Sequence, residues 1–312
     1  MPESKIIPFP EQATAKNLEF PKSTHSFRFP FVFDGTESAL GKVEWTVKGL
    51  MISGGLSVIY GPPKSGKSFC AQHAAECVAH GIEFFGKSTK EGLVVYLCGE
   101  GAVGFRQRMV AWRKINGLSP TRNFVMMPSA LDISTDSDAV NALIADLKAL
   151  SEMMGQPIVM IVIDTLARYF GPNDENGALE MGRFVNSISR IQEALVSDLG
   201  TNPHVCVVHH TGKNIGAGMR GCNALLAAAD CAIEVTVKDD GVRQARVADT
   251  KDSAVPEPFY YVLRSTSVGV DCDGDLTYSC AVEPTTIVIP DADEEEAAAP
   301  RRGRGRPKKS AA

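Results

Sequence analysis

Long hydrophobic runs are missing from this 312-residue chain, and so is a leader in which basic residues precede an apolar stretch. The apolar run at residues 158–163 is far shorter than the roughly 20 residues that a membrane-spanning helix needs. The first residues, MPESKIIPFPEQ, are polar and contain prolines, unlike a signal peptide. We therefore expect a soluble, cytoplasmic protein without a membrane partner.

Paired cysteine motifs are also missing. The chain has eight cysteines, but none are arranged as C-x-x-C, the spacing that is common in zinc sites and redox pairs. Several cysteines lie inside apolar, strand-like runs, which favours reduced, buried thiols over disulfides. The sequence thus indicates a core that depends on neither zinc nor disulfide bonds.

A general positive charge is missing as well, because the formal net charge is −5 at pH 7. The last twelve residues hold six basic side chains and no acidic one, so the rest of the chain is more acidic still. The apolar and charged fractions, 44% and 22%, are ordinary for a globular protein. Any contact with nucleic acid must therefore use local basic loops or the tail.

The most informative stretch is a glycine-framed loop after a short apolar run. Its residues fit G-x-x-x-x-G-K-[ST], in which backbone N–H groups cradle phosphates, the lysine reaches the β/γ oxygens and the hydroxyl binds Mg²⁺. We predict a strand at residues 56–60 before the loop and a helix at residues 68–80 after it, with Gly81 at the helix C′ position. The predicted nucleotide-binding residues are Gly61, Pro62, Pro63, Lys64, Ser65, Gly66, Lys67, Ser68 and Phe69.

Acidic side chains follow two further apolar runs. Residues 92–98 read as a buried strand that is followed by Glu100 between two glycines, and residues 157–164 read as a strand that ends in Asp164. Continuous apolar runs are typical of strands that a parallel sheet buries on both faces, with their last side chains delivered at its carboxyl edge. Asp164 is therefore predicted to hold Mg²⁺ through water.

The rest of the chain completes an alternation of helices and strands. We predict helices at residues 105–116 and 136–154, a long helix that ends near Leu199, and a strand at residues 205–210 that ends in two histidines. Beyond Ile233, short β-rich runs are separated by Asp-Gly turns, which indicates antiparallel hairpins that extend the sheet. The predicted fold class is α/β, a doubly wound, mostly parallel sheet flanked by helices and extended by C-terminal antiparallel strands.

Composition divides the chain into three parts. Residues 1–42 mix proline, phenylalanine, serine and lysine without a period, and are predicted to form an extended arm. Residues 43–285 are predicted to form the ATPase domain. Residues 286–312 are acidic and then rich in arginine, glycine and proline, which predicts a disordered tail.

Several motifs together resemble the RecA-like ATPases of the plasmid RepA-type hexameric helicase family. These motifs are GPPKSGKS at residues 61–68, GEG at 99–101, IDTLAR at 163–168, DEN at 174–176, HHTGK at 209–213 and RG at 220–221. The resemblance covers roughly residues 43–282. It implies a RecA-like fold, ATP and Mg²⁺ as cofactors, and a homo-oligomeric ring, expected to be a hexamer, with ATP between adjacent subunits.

The resemblance also implies roles for individual residues. Lys67 would contact the β/γ-phosphates, Ser68 the Mg²⁺ and Asp164 the hydration shell of the metal. Glu100, at the end of a neighbouring strand, would be the general base that activates the attacking water, the alternative being a surface turn residue. His210 resembles a γ-phosphate sensor, with His209 on the opposite side of the strand. Which histidine faces the nucleotide is open, as is a purely core-packing role.

Basic residues in the loop after those histidines resemble groups that act on a neighbouring subunit. Arg220 resembles an arginine finger, with contact to DNA as the alternative. Lys213 and Lys251 are weaker candidates for contacts between subunits, and Lys213 is also a candidate for DNA binding. The loops at residues 169–177 and 211–221 would move along single-stranded DNA.

The basic tail resembles a separate, short DNA-binding motif. Residues 303–309, GRGRPKK, resemble an AT-hook, which lays two arginines into the narrow minor groove of A·T-rich duplex DNA. Arg304 and Arg306 would be those arginines. The alternative is a solvated polybasic tail that binds any polyanion.

Taken together, these motifs predict an ATP-hydrolysing DNA motor of the RepA-like helicase type, in replication or recombination. A second hypothesis is a DNA-stimulated ATPase without unwinding activity, such as a recombinase or a loader. A third is a small-molecule P-loop kinase, which the position of Glu100 and the lack of an arginine-rich lid segment disfavour.

Overall fold

The structure is a computed structural model that describes residues 42–175, 177–210, 223–238, 241–251 and 253–286. Several predictions fall outside these residues: the arm before residue 42, the basic loop with Lys213 and Arg220, and the tail with Arg304 and Arg306. They stay predictions.

The described residues form strands and helices in alternation through most of their length. The strands are β1 (Trp45–Val47), β2 (Met51–Ile52), β3 (Leu56–Gly61), β4 (Leu93–Cys98), β5 (Phe124–Met127), β6 (Ile158–Asp164), β7 (His204–His210), β8 (Cys231–Val237), β9 (Arg243–Thr250), β10 (Phe259–Val270) and β11 (Leu276–Pro284). The helices are α1 (Lys67–His80), α2 (Ala102–Asn116), α3 (Ser137–Met154), α4 (Leu166–Tyr169), α5 (Ala178–Leu199) and α6 (Asn223–Ala228).

Nine of these strands form one sheet in the order β11-β10-β9-β8-β3-β7-β6-β4-β5. From β8 to β5 every neighbouring pair is parallel. From β8 to β11 every pair is antiparallel. The predicted fold class, a mostly parallel α/β sheet with C-terminal antiparallel strands, is confirmed.

Two hydrophobic layers cover the two faces of the sheet. One face, with Tyr96, Val162 and Val208, packs against α1 and α2. The other face, with Val207 and Ile161, packs against α3 and α5. Because side chains alternate along a strand, this division decides on which side of the sheet each residue at the carboxyl edge lies.

The two predicted ends of α3 show why local signals were sufficient there. The side chain of Asp136 accepts hydrogen bonds from the backbone N–H groups of Asp138 and Ala139, as expected of an N-cap. Gly155 follows the last turn in the left-handed conformation at φ 65°, and its N–H donates back to the helix. Both signals act over a few residues, so they are readable without the tertiary fold.

Five cysteines, Cys70, Cys77, Cys98, Cys206 and Cys231, are buried as free thiols, which confirms the expectation from their apolar surroundings. Burial raises the pKa of these thiols, to about 12 for Cys206 and Cys231. Within the described ranges, no helix combines the length and the apolar character that crossing a bilayer requires.

The stability of the fold should depend on pH through the buried side chain of His204. His204 lies wholly inside the protein, with Nδ1 2.8 Å from the carbonyl oxygen of Ile52 and Nε2 2.8 Å from Oγ of Ser57. Burial lowers its pKa to about 4, although Ile52 and the charge of Asp230 act in the opposite direction. The unfolded chain takes up a proton near pH 6.5 and the folded chain does not. The stability from His204 is therefore complete above pH 6.5 and is lost as pH falls towards 4.

Replacing His204 by Asn should for this reason cost less stability at pH 5 than at pH 7, by about 2 kcal/mol. Urea unfolding of both proteins at the two pH values measures the difference. The comparison with the wild type is needed because buried Glu76, whose pKa burial raises to about 8, changes stability in the opposite direction as the pH falls. An equal cost at both pH values would contradict a neutral, buried His204.

Candidate active site

The glycine-framed loop connects β3 to α1 and leaves the first turn of that helix without a side-chain cap. Gly66 stands at the N-cap position with φ 99°, a conformation that glycine adopts without strain. Lys67 is 3% exposed, and its Nζ donates a hydrogen bond to the carbonyl oxygen of Pro62 at 2.6 Å. Burial lowers the pKa of Lys67 to about 8, against the opposing effect of Asp164. The loop thus holds a buried cation beside free N–H donors, as a phosphate site requires.

A buried hydroxyl in the same loop has no protein partner. Ser65 is 1% exposed, and its Oγ makes no hydrogen bond. Pro63 and Lys64, on the outer side of the loop, are exposed. An orphaned buried hydroxyl costs stability unless a ligand satisfies it. The loop therefore fits the phosphates of a nucleotide.

The predicted metal residues converge. Oγ of Ser68 donates to Oδ1 of Asp164 at 3.0 Å, and the hydroxyl of Tyr96 donates to Oδ2 at 2.7 Å. Asp164 is 7% exposed. Burial raises its pKa, although the hydrogen bonds from Tyr96 and Ser68 act in the opposite direction. Hydroxyl and carboxylate oxygens are the ligands that Mg²⁺ prefers, so this pair fits the ion that accompanies ATP.

Glu100 follows β4, at the same edge of the sheet as Asp164. The sheet places β7 and β6 between β4 and β3, so the strand of Glu100 is not a neighbour of the loop strand. β4 is a neighbour of β6 instead, and Cys98 in β4 pairs with Asp164 in β6. Burial raises the pKa of Asp164 and lowers that of His210, and the charge of the exposed Glu100 carboxylate acts on both groups towards a higher pKa. Glu100 therefore follows the strand that lies next to the Asp164 strand, and not a strand next to β3.

The two histidines at the end of β7 lie on opposite faces of the sheet. His210 continues the alternation of Cys206 and Val208, which face α1. His210 is exposed, and partial desolvation together with the charge of Lys67 lowers its pKa. Of the two histidines, His210 is thus the one on the side of α1.

His209 has the surroundings of a core residue. It continues the alternation of Val205 and Val207, which face α3 and α5, and is 7% exposed. Burial, followed by the charges of His210 and Lys67, lowers its pKa to about 4. Its Nδ1 lies 3.9 Å from Oε2 of Glu175, but the imidazole is neutral at physiological pH. The sequence left open a core-packing role for one of the two histidines, and the burial of His209 indicates that this role belongs to His209.

One of the other expectations needs correction, and the contact of Lys251 with a neighbouring subunit stays a prediction. The segment at residues 169–177 is not wholly a polar loop, because Tyr169 and Phe170 are fully buried and the hydroxyl of Tyr169 donates to the carbonyl oxygen of Ser129 at 2.7 Å. Lys251 lies beside the amino end of β3, opposite the phosphate loop, where Nζ is 3.4 Å from Oδ1 of Asp230. Its side chain is thus paired within its own chain.

Four residues near the site were not predicted. The first is Tyr96, which donates to Asp164. The hydroxyl of Tyr261 donates to the carbonyl oxygen of Gly66 at 3.2 Å, and the side chain of Arg243 packs against the same glycine. The guanidinium of Arg108 lies 4.5 Å from the ring centroid of Phe69, and its charge opposes the effect of burial, which raises the pKa of Asp164. Tyr261 and Arg243 come from the antiparallel extension, and no local motif connects them to the loop.

The start of the phosphate loop has no room for a side chain. A Cβ atom at Gly61 would overlap the backbone carbonyl oxygen of Val235 in β8. Gly61→Ala should therefore destabilise the protein by about 1 to 3 kcal/mol and weaken nucleotide binding, because either β8 or the loop must shift. Chemical denaturation and titration with ADP measure the two effects.

Gly104 in α2 provides the matched control, because a Cβ atom there would meet no heavy atom within 4 Å. Gly104→Ala should stabilise the helix by about 0.5 to 1 kcal/mol. Equal effects of the two substitutions would contradict the steric account of Gly61.

Comparison with protein families agrees with this geometry. Residues 22–216 match the model of a family described as an AAA domain, which is more than half of the chain. No curated protein matches the sequence. The matched residues include the phosphate loop, Glu100 and Asp164. The chain therefore belongs to the AAA domain family, whose members are P-loop ATPases.

Proposed function

We propose that the protein is a ring-forming DNA motor of the RepA-like helicase type, which hydrolyses Mg²⁺-ATP in replication or recombination. The observation that carries the ATPase part is the convergence of Ser68, Asp164 and Glu100 on the carboxyl edge of the sheet. Two of these side chains are in contact with each other, and the third carries an exposed carboxylate nearby.

The chain's own residues divide the work of hydrolysis. Lys67 leaves the carbonyl oxygen of Pro62 and donates to the β/γ-phosphate oxygens. The hydroxyl of Ser68 would hold Mg²⁺ directly and the carboxylate of Asp164 would hold it through its hydration shell, and the bound ion would neutralise charge on the phosphates. Glu100 accepts a proton from the attacking water. His210, on the same face, is placed to contact the γ-phosphate.

The motor part of the proposal rests on the resemblance and on charge. The body is acidic, so single-stranded DNA would meet local segments: residues 171–177 and the basic loop with Lys213. Arg220 would act on the ATP of the adjacent subunit in a hexamer, where such a group is worth about 10³ to 10⁵ in rate. Arg304 and Arg306 would bind A·T-rich duplex DNA through the minor groove.

The experiment that tests the motor role is strand separation on a forked DNA by the full chain with ATP and Mg²⁺. We expect unwinding that requires ATP hydrolysis, and a ring mass in the presence of ATP and single-stranded DNA. A DNA-stimulated ATPase that separates no strands would instead be a recombinase or a loader. ATP turnover that requires a small acceptor molecule and ignores DNA would identify a kinase and overturn the proposal.

A further inference from the structure

Tyr96 lies at the centre of the candidate site without belonging to any of the motifs in the sequence. It is fully buried in β4, where it pairs with Val162 of β6, two residues before Asp164. Its hydroxyl donates to Oδ2 of Asp164 at 2.7 Å. This is the shorter of the two hydrogen bonds that the carboxylate accepts from side chains, the other being the bond from Ser68 at 3.0 Å.

The two donors differ in their relation to Mg²⁺. As a metal ligand, Ser68 would give a lone pair of its hydroxyl to the ion and would keep its O–H proton for Oδ1 of Asp164. Among the residues that the structure describes, the Tyr96 hydroxyl donates to Oδ2 of Asp164. Tyr96 thus fixes Oδ2 without being a metal ligand itself, while Ser68, which would also bind the ion, contacts Oδ1.

The environment of Tyr96 suits a fixed donor. Its ring centroid lies 4.4 Å from that of Phe105 and 6.0 Å from that of Phe124, so the aromatic packing restricts the ring. The restricted ring therefore holds the hydroxyl as a donor against Oδ2 of Asp164.

Resting on the proposed Mg²⁺-ATP site, we propose that Tyr96 is a positioning residue that orients Asp164 for Mg²⁺. Partners that orient a metal-binding carboxylate typically contribute about 10- to 100-fold to metal affinity or activity. The contribution acts through Asp164 and not through the nucleotide, because Tyr96 lies beneath the carboxylate in the sheet. The Mg²⁺ dependence of nucleotide binding should therefore change while binding without the metal does not.

The test is Tyr96→Phe in the full chain, which removes one oxygen atom and keeps the aromatic packing. Calorimetric titration with ADP, in excess EDTA and over a series of Mg²⁺ concentrations, separates nucleotide affinity from metal affinity without turnover. We expect the Mg²⁺ concentration for half-maximal effect to rise about 10-fold or more, with unchanged ADP affinity in EDTA. Tyr260→Phe is the matched control, since its hydroxyl also has a partner, Gln244 at 3.0 Å, but lies in the antiparallel extension.

Each result has a definite meaning. An unchanged Mg²⁺ dependence in Tyr96→Phe, with a wild type that responds to Mg²⁺, overturns the positioning role and leaves the ATPase proposal standing. Equal losses of ADP affinity with and without Mg²⁺ also overturn it, because they indicate a general defect of the fold. A wild type whose ADP binding ignores Mg²⁺ overturns the metal site itself, and with it both proposals.

Discussion

Replacing Glu100 by Gln is expected to lower steady-state ATP turnover by about 10²- to 10⁴-fold, the usual contribution of a general base. The amide keeps the size and the hydrogen-bonding reach of the side chain but cannot accept the proton of the attacking water. Binding should survive, because Glu100 is exposed, while Lys67 donates to the carbonyl oxygen of Pro62 and Ser68 donates to Asp164. Coupled measurement of ADP release, beside a titration with ATP, separates the two properties.

Glu152→Gln is the matched control, since Glu152 is exposed in the last turn of α3, on the other face of the sheet. Its turnover should equal that of the wild type. If Glu100→Gln also turned ATP over at the wild-type rate, another group would have to serve as the base. The assignment of Glu100, at the end of β4, as the general base would then be wrong.

Replacing Lys67 by Met is expected to weaken ATP binding by about 10- to 150-fold, the equivalent of one hydrogen bond to a charged group. Methionine retains the length of the buried stem and removes only the ammonium group. The same change should leave the nucleotide-free protein as stable as the wild type or more stable. Burial lowers the pKa of Lys67 to about 8, so the empty loop favours the charged form of the side chain less than water does.

Titration with ATP and urea unfolding of the nucleotide-free protein measure the two effects of Lys67→Met. Lys48→Ala, at an exposed lysine in the turn between β1 and β2, should change neither. A loss of stability that accompanies the loss of binding would indicate that Lys67 holds the loop together, and would contradict a role directed at the ligand.

Features that depend on a few consecutive residues were predictable. The bounds of β3, α1, α3 and β6 were close to the predicted ones, because glycine caps, an aspartate N-cap and continuous apolar runs act locally. The family-defining loop is likewise contiguous. Its pairing with Asp164 was also predictable, since parallel strands deliver their last residues to one edge.

Features that depend on strand order were not predictable. The chain offers no signal that β7 and β6 lie between β3 and β4, so the route by which Glu100 reaches the site could be read only from the sheet. The burial of Tyr169 and Phe170 was not predictable either, because they begin a segment that is mostly polar in sequence and yet lie inside the core. β5 is only four residues long, and its pattern is too short to indicate a strand.

The histidine pair shows how the structure sharpens a question that the sequence left open. Adjacent residues on a strand must face opposite sides, but the sequence does not say which side holds the nucleotide. The two hydrophobic layers separate the two histidines. Helix α1, which begins at the phosphate loop, packs against Cys206 and Val208, and strand alternation assigns His210 to that same face. Tyr96 lies on that same face. It would have been a candidate site residue if the sequence had shown which side chains of β4 point towards α1.

The central claim is that this site hydrolyses Mg²⁺-ATP in response to DNA. Steady-state ATP hydrolysis by the full chain, with and without Mg²⁺ and with and without a single-stranded oligonucleotide, tests it most directly. We predict turnover that requires Mg²⁺, needs no acceptor other than water and rises when single-stranded DNA is added. Turnover that is absent with Mg²⁺ and DNA together, or that is indifferent to DNA and appears only with a small acceptor molecule, would contradict the account.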